Sequence, residues 1–182
     1  MDAAHPDLVL IGDPVLRRRA QPVIDFTQAQ ELVDRLADIL AEIHGAGLAA
    51  PQIGVSLQAL VVEVRQNEDF PDRPVSPLMA MVNPRITAAS EESDRDWEGC
   101  FSVPGLIGVV PRATWIEVDY QDPDGTGREQ RYEGYVARVL QHEIDHLHGI
   151  FFLDRMPNLL SLSTLENRRR EVERREQAEA AG

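Results

Sequence analysis

Residues 141–146, with the sequence QHEIDH, constrain the structure of this chain more than any other segment. His142 and His146 are four residues apart, so a helix would place both imidazoles on one face. Two such histidines, with Glu143 beside the first, can bind a divalent metal and act on a water molecule next to it. The segment therefore predicts a metallohydrolase, and the alternative is a surface helix that happens to carry two histidines.

The spacing of apolar residues predicts three helices. The first covers residues 28–44, where a capping-box pattern at Thr27 and Gln30 precedes the apolar positions and Gly45 ends them. The second carries the QHEIDH segment, because the apolar residues before it recur at helical spacing. The third covers residues 161–180, where balanced charges favour a solvated helix.

Short β-branched and apolar runs predict strands at residues 57–64, 78–82, 108–110, 115–120 and 128–132. Pro123, Asp124 and Gly125 predict a hairpin turn between the last two strands, while the acidic residues 90–96 are expected to be solvated. The elements together predict an α+β fold of short, mostly antiparallel strands around a central HExxH-bearing helix, with an N-terminal amphipathic helix and a C-terminal helix. With no internal repeat, residues 1–182 are expected to form a single domain.

Charge and hydropathy argue against two classes of partner. The formal net charge of −13 argues against general nucleic-acid binding, which needs clustered positive charge. No apolar stretch approaches about 18 residues, so membrane insertion is not expected. The start of the chain does not have the pattern of a signal peptide, and a cytoplasmic location is expected.

A catalytic metal of this kind needs a third protein ligand that the helix does not supply. Cys100 is the leading candidate because a thiolate is a strong ligand, although a merely buried thiol is its alternative role. His148 is the competing candidate. Its spacing from His142 and His146 turns it away from their common face, which favours an exposed polar role.

Neighbouring residues are candidates for proton transfer and positioning. Glu143 can reach a water beside the metal, so it is the candidate general base. Glu98 and Asp145 are candidates to hold the ligand imidazoles in position. Residues 45–54, GAGLAAPQIG, permit close approach of the backbone to a ligand, and Gln52 offers an amide donor for a developing oxyanion. A tight turn between a helix and a strand would explain this segment equally well.

Three separated motifs together resemble the signature of the peptide deformylase family. They are GAGLAAPQ at residues 45–52, EGCFS at residues 98–102 and QHEIDH at residues 141–146. IGDPVLR near the start, GYVAR at residues 134–138 and FLDR at residues 152–155 also look like this family. The resemblance extends from about Ile11 to Arg155, and three motifs in the expected order are far more specific than HExxH alone.

The resemblance implies a reaction and a metal. An enzyme of this family removes the formyl group from the N-terminal formyl-methionine of new polypeptides and releases formate. By this resemblance, Cys100, His142 and His146 would hold a ferrous ion, for which Ni²⁺, Co²⁺ or Zn²⁺ could substitute. Glu143 would exchange protons with a water at the metal, and the partners would be N-formyl-methionyl nascent polypeptides.

The resemblance also assigns residues to the substrate cleft. Gln52 and the backbone N–H of Phe101 would stabilise the oxyanion. The residues that would line the cleft or the methionine pocket are Gly45, Ala46, Gly47, Leu48, Tyr135, Arg138 and Val139. The chain departs from the family pattern at Phe101, where leucine is common, and at Ala46, where a larger aliphatic residue is usual. Both departures bear on the shape of the pocket.

Two other functions compete with this interpretation. A zincin-type metallopeptidase would need a further histidine or glutamate ligand downstream, but no histidine follows His148 and the later glutamates lie in the tail. A catalytically inactive deformylase-like protein that binds the ribosome would have lost a ligand or Glu143, and all of them are present. The C-terminal helix resembles the one with which a subgroup of the family contacts the ribosome, so such a contact is also expected.

Overall fold

The chain forms eight strands and four α-helices within residues 5–66 and 74–180, which a computed structural model describes. The helices are α1 (Ala29–Glu42), α2 (Gly134–Leu147), α3 (Phe152–Arg155) and α4 (Leu165–Ala180). The strands are β1 (Gly47–Ala49), β2 (Ala59–Val64), β3 (Ser76–Ala89), β4 (Ser93–Cys100), β5 (Val103–Ala113), β6 (Trp115–Gln121), β7 (Gly127–Glu133) and β8 (Ser163–Thr164). Among the described residues, none of the helices combines the length and the apolar character that crossing a bilayer requires.

Two antiparallel sheets surround α2. The larger sheet has the strand order β1-β2-β3-β6-β7, and the smaller has the order β4-β5-β8. Helix α2 contacts β1, β2, β3 and β6 of the larger sheet and β5 of the smaller one. The predicted α+β fold, with mostly antiparallel strands around the HExxH helix, is therefore confirmed.

Helix α2 is buried along most of its length, from Ala137 to Leu147. Leu140, Ile144 and Leu147 pack against the larger sheet, whose core residues include Leu60 and Val62. Each fully buried side chain of this size stabilises the fold by about 1.5–3 kcal/mol. The polar residues of the QHEIDH segment are thereby fixed inside the molecule, where a free side chain would be costly.

The start of α1 differs from the predicted capping box. Gln28 is the N-cap and its side chain makes no capping hydrogen bond. Asp25 instead accepts from the backbone N–H of Thr27 at 3.0 Å and from its hydroxyl at 2.8 Å. Thr27 lies within a 3-10 turn (Phe26–Gln28), one residue before the N-cap, and its hydroxyl is bonded to Asp25, so it does not cap the helix. The predicted capping box is therefore wrong.

Several strands extend beyond their predicted limits. β3 runs over 14 residues and β5 over 11, because pairing with neighbouring strands carries them through polar positions. The acidic residues 90–96 are exposed, apart from half-buried Ser90, but Ser93–Cys100 also forms β4. The predicted hairpin turn lies between β6 and β7, where Gly125 adopts a φ of 87° and donates to the Asp122 carbonyl at 2.8 Å. α4 begins at Leu165, because a 3-10 turn (Leu159–Ser161) and β8 occupy the preceding residues.

Candidate metal centre

Three potential metal ligands meet between β4 and α2. Sγ of Cys100 lies 3.3 Å from Nε2 of His146, and the ring centroids of His142 and His146 are 4.9 Å apart. Donor atoms of these three buried side chains all lie within 4.8 Å of one another. His148, the competing candidate, is exposed, and its Nδ1 hydrogen-bonds the Ile144 carbonyl at 2.8 Å.

The position of Cys100 follows from the end of β4. Gly99 pairs with Ile107 of β5, but Cys100 already pairs with Val103, so the register shifts between them. The chain then turns at Phe101 and Ser102 into β5. This tight reversal ends the strand at Cys100 and leaves its buried thiol next to α2.

Glu98 holds the first histidine through a buried ionic network. Oε2 of Glu98 lies 3.0 Å from Nδ1 of His142, and the same carboxylate accepts from Arg112 at 2.9 Å through both Nε and Nη2. Burial alone would raise the pKa of Glu98, but the hydrogen bonds from His142 and Arg112 lower it to about 2. An ionised carboxylate can only accept, so Nδ1 of His142 carries a hydrogen. Burial opposes the shift, but hydrogen bonds with Cys100 and Glu98 raise the pKa of His142 well above its usual value, so a metal that binds Nε2 must displace a proton from this imidazole.

The network continues through Asp145, whose side chain turns away from the metal ligands. Nη1 of Arg112 lies 2.5 Å from Oδ2 of Asp145, and Arg155 donates to the same carboxylate at 3.0 and 2.6 Å. Asp145 therefore holds the Arg112 guanidinium in place. Arg112 in turn positions the Glu98 carboxylate, and Glu98 orients the imidazole of His142. Asp145 itself is not hydrogen-bonded to either ligand imidazole.

Arg112 is a functional residue that sequence reasoning missed. Its side chain is 5% exposed and joins two buried carboxylates, Glu98 and Asp145. Val110 and Arg112 occupy alternate positions of β5, and both are buried. An arginine at an inward position of a strand signals a buried carboxylate partner, because an unpaired buried charge is very costly. That alternation could have identified it.

Replacing Arg112 by methionine is expected to lower the free energy of unfolding by about 3–5 kcal/mol, because two buried carboxylates lose their shared partner. Urea unfolding of metal-depleted protein measures this difference without a contribution from the ligand. Arg85→Met is the matched control. It removes an exposed pair with Asp119 at 2.7 Å and should cost less than about 1 kcal/mol. Equal effects of the two substitutions would contradict the role given to the network.

Glu143 presents a buried carboxylate to the ligand cluster. Its side chain belongs to α2, and its Oε2 has no hydrogen-bond partner in residues 5–66 and 74–180. Burial raises the pKa of Glu143 to about 7, although the charge of His142 opposes the shift. A carboxyl group with a pKa near the working pH suits general acid–base catalysis, since it can both accept and return a proton.

Gly47 makes the space that Glu143 occupies. A Cβ atom at Gly47 would lie 2.6 Å from Oε1 and 2.7 Å from Cγ of Glu143. Real Cβ contacts are not that short, so any larger residue must displace the carboxylate. This close approach explains why β1 carries glycine at the position that faces α2.

Gly47→Ala is expected to lower kcat by about 10²-fold or more while the metal is retained, because displacement of a catalytic group by about 1 Å has effects of this size. Steady-state kinetics and metal analysis on the same sample test this expectation. Gly127→Ala, at a position in the β6–β7 hairpin where a Cβ has open space, should leave kcat unchanged. An unchanged kcat in Gly47→Ala would show that Glu143 does not need this position.

Gln52 aims its amide donor at the cluster. Its Oε1 accepts from the Ala49 backbone N–H at 2.8 Å, which fixes the orientation of the buried amide. Its Nε2 then lies 3.5 Å from Sγ of Cys100 and 3.4 Å from Oγ of Ser102. The donor end of Gln52 therefore lies where a substrate carbonyl next to a metal could reach it.

The predicted cleft residues lie in two groups. Gly45, Ala46, Gly47 and Leu48 lead into and form β1, which pairs with β2 on one side and ends the larger sheet on the other. Tyr135 and Val139 lie on the first turns of α2 and belong to the core cluster or pack against it. The ring of Phe101 contacts Gly45, where a Cβ would lie 2.8 Å from Cε2 of the ring.

The guanidinium of Arg138 belongs to the ionic network around Glu98. Its Nη1 donates to Glu98 and to the Val110 carbonyl, both at 2.9 Å, and its Nη2 donates to the Asp94 carbonyl at 2.8 Å. The guanidinium is thus a third cationic partner of Glu98. The side chain connects β4 and β5 to α2.

The donor set fits a divalent transition metal. A thiolate with two imidazoles provides three strong donors, which leaves a position for water or substrate. Burial, followed by the charges of His142 and Arg112, lowers the pKa of His146 well below its usual value, so this imidazole is neutral as a ligand must be. The unpartnered Oε2 of Glu143 adds an acceptor for a water at the same place.

Comparison with known proteins gives one consistent result. A family model described as polypeptide deformylase matches residues 6–161. The peptide deformylase of Thermus thermophilus is 47% identical over 173 residues, which cover 91% of this chain and 89% of that relative. Peptide deformylase 2 of Nostoc sp. is 40% identical over 161 residues, which cover 87% and 90% of the two chains.

The fold agrees with a solved structure as well. The class I type b peptide deformylase from Acinetobacter baumannii, crystallised with Met-Ala-Ser bound, superposes with a TM-score of 0.80 and 36% identity. The match covers 86% of this chain and 100% of that one. Sequence and structure therefore lead to the same family.

Proposed function

The chain belongs to the polypeptide deformylase family, and we propose that Cys100, His142 and His146 hold its catalytic metal as a ferrous ion. The protein is a hydrolase that removes the formyl group from N-formyl-methionine, the reaction of this metal-dependent family. The observation that supports this site is the buried cluster of one thiol and two imidazoles, with the Glu143 carboxylate beside it. Iron is proposed from the family resemblance, because the donor set also suits nickel, cobalt or zinc.

The proposed mechanism assigns one task to each side chain. A metal held by Cys100, His142 and His146 would supply Lewis acidity to the formyl carbonyl and to the attacking water. Glu143 takes a proton from the attacking water and later delivers it to the departing amine nitrogen. Gln52 Nε2–H and the backbone N–H of Phe101 donate to the carbonyl oxygen as negative charge develops on it. The bond between carbonyl carbon and nitrogen then breaks, and formate leaves.

The surroundings of the metal ligands favour a small acyl group. Gln52 is buried with its Nε2 3.5 Å from Sγ of Cys100, and Leu48 is buried four residues before it, so we infer a narrow space at the reacting carbon. A formyl carbon carries only hydrogen, whereas an acetyl carbon carries a methyl group that would have to fit between these side chains. The rest of the peptide can pair with the outer edge of β1 as an added strand. The apolar side chain of Val139 offers a contact surface for the methionine side chain.

We also propose that the enzyme acts in the cytoplasm on nascent polypeptides and that α4 contacts the ribosome. α4 packs on β5 and β8, and Arg168 lies 4.9 Å from the centre of the Trp97 ring of β4, but most of its described residues are exposed and open to a partner. Several of its arginines are paired within the helix, as Arg170 is with Glu166 and Arg175 with Glu171 at 2.5 Å. To bind the ribosome, these arginines must exchange their glutamate partners for ribosomal groups. We expect high salt to weaken that contact with the ribosome.

Substrate selection is expected to be steep. Anaerobically purified, iron-loaded protein should release formate from N-formyl-methionyl peptides and react little with N-acetyl-methionyl peptides. It should not cleave internal peptide bonds. A formate assay combined with mass analysis of the peptides measures all three outcomes. Internal cleavage without formate would support the peptidase alternative, and inertness of a fully metallated sample would support the inactive binding protein.

A further inference from the structure

A cavity of about 650 Å³ lies on a face of α2 turned away from the metal ligands. It is lined by Ile144 of α2 and by His148, which directly follows the end of α2. Each is two residues from a ligand histidine and so does not share the ligands' face. The opposite wall comes from β3 and β6 of the larger sheet. Arg19, in the segment that precedes α1, closes one side. None of the three metal ligands lines the cavity.

The charge of this cavity is opposite to that of the chain. Three arginines and one histidine line it against two aspartates, whereas the whole chain carries 31 acidic and 18 basic residues. Arg85 gives one hydrogen bond to Asp119 at 2.7 Å through Nη2. A guanidinium has five N–H donors, so this pair uses only part of its capacity. Arg155 is paired with Asp145 through two hydrogen bonds, so the donors that the cavity offers to an oxyanion come from Arg19 and Arg85.

The backbone at the cavity is held in an uncommon conformation. Asn83 has a φ of 51°, and the pairing of β3 with β6 shifts register between Val82 and Arg85. The Asn83 side chain is fixed by Val23, whose N–H donates to Oδ1 and whose carbonyl accepts from Nδ2, both at 2.8 Å. Positive φ values in residues other than glycine and strand irregularities are concentrated at binding sites. Here they lie directly beside Arg85.

We propose that this cavity binds a small organic oxyanion, either a phosphate monoester or a carboxylate. Arg19 and Arg85 hold the charged group, because both line the cavity and both are exposed to solvent. Ile86, Ile144 and Ile150 provide an apolar surface for the body of the ligand. A concave site with apolar walls and a few convergent polar groups is the usual form of a small-molecule site. The proposal does not depend on the deformylase reaction.

Solution NMR on zinc-loaded protein tests the proposal with phenyl phosphate, benzoate and inorganic phosphate as probes. We expect saturable shifts of backbone amides at Ile86, Ile144 and His148 with at least one organic probe. The apparent Kd of that probe should be roughly tenfold tighter than that of inorganic phosphate, because its ring covers apolar surface. Comparison of phenyl phosphate with benzoate identifies the preferred anion. Shifts that do not saturate, or that occur only around the metal ligands, would overturn the proposal.

Matched variants identify the binding groups. Arg19→Gln together with Arg85→Gln should weaken the preferred probe about tenfold or more, since both cationic partners are removed. Both arginines are exposed, and Arg19→Gln alone provides a milder version whose spectrum can be checked for native dispersion. Arg131→Gln is the control, because Arg131 is exposed, pairs with Glu133 at 2.9 Å and does not line the cavity. If the protein with both Arg19→Gln and Arg85→Gln binds the probe as tightly as Arg131→Gln does, the proposal is contradicted.

Discussion

Glu143→Ala is expected to reduce kcat by about 10²- to 10⁴-fold while the fold and the metal content remain those of the unmodified enzyme. Glu143 is the only carboxylate of the described residues whose oxygen is both buried and without a partner, and it lies beside the ligand cluster. Without it, neither the attacking water nor the departing amine has a positioned group for proton exchange. Formate release under saturating substrate and metal analysis of the same sample measure both parts of this prediction.

The control for this experiment is Glu31→Ala, which removes an exposed glutamate from the first turn of α1. Its kcat should not change. Loss of the metal in Glu143→Ala would make Glu143 a ligand instead of the acid–base group. Near-normal turnover would refute the assigned mechanism.

Cys100→Ala is expected to lose both the metal and the activity. The remaining pair of imidazoles would bind a divalent ion far more weakly than three donors do. The loss of affinity should exceed the roughly 10- to 100-fold cost of changing residues that only support a ligand. Metal analysis after dialysis against a chelator measures this directly. A second variant, Arg112→Met, should lose less metal, because it changes the support of His142 and leaves all three donors in place.

Full occupancy and unchanged turnover in Cys100→Ala would place the third ligand elsewhere. Air oxidation provides an independent comparison. A thiolate on ferrous iron is exposed to oxygen, so the activity of the iron form should decline in air faster than that of a nickel or cobalt form. Equal decline in all forms would argue against the proposed iron–thiolate site.

The sequence predicts the centre of this molecule better than its periphery. Residues four apart on a helix share a face in any context, so the QHEIDH segment fixed the placement of His142 and His146 in advance. The three motifs also predicted the family correctly, and their segments meet around one cluster. Motif order and the types of ligand residue can be read directly from the sequence, and they do not depend on how the remaining segments fold.

Long-range contacts explain what sequence reasoning missed. Arg112 lies 14 residues from Glu98 and 33 residues from Asp145, and only strand pairing and the packing of α2 bring the three together. Arg138 remains a prediction for the methionine pocket, but its hydrogen bonds to Glu98 and to two backbone carbonyls could not be read from the sequence. Strand lengths were underestimated for a related reason. A ladder of backbone hydrogen bonds continues through polar residues wherever a partner strand is available.

X-ray absorption spectroscopy at the iron edge, on anaerobically purified protein, tests the central claim most directly. If Cys100, His142 and His146 hold the metal, one iron per chain should show a single sulfur ligand together with two imidazole nitrogens, and the sulfur contribution should disappear in any metal that Cys100→Ala retains. An iron site in the unmodified enzyme with only nitrogen and oxygen ligands would contradict the account.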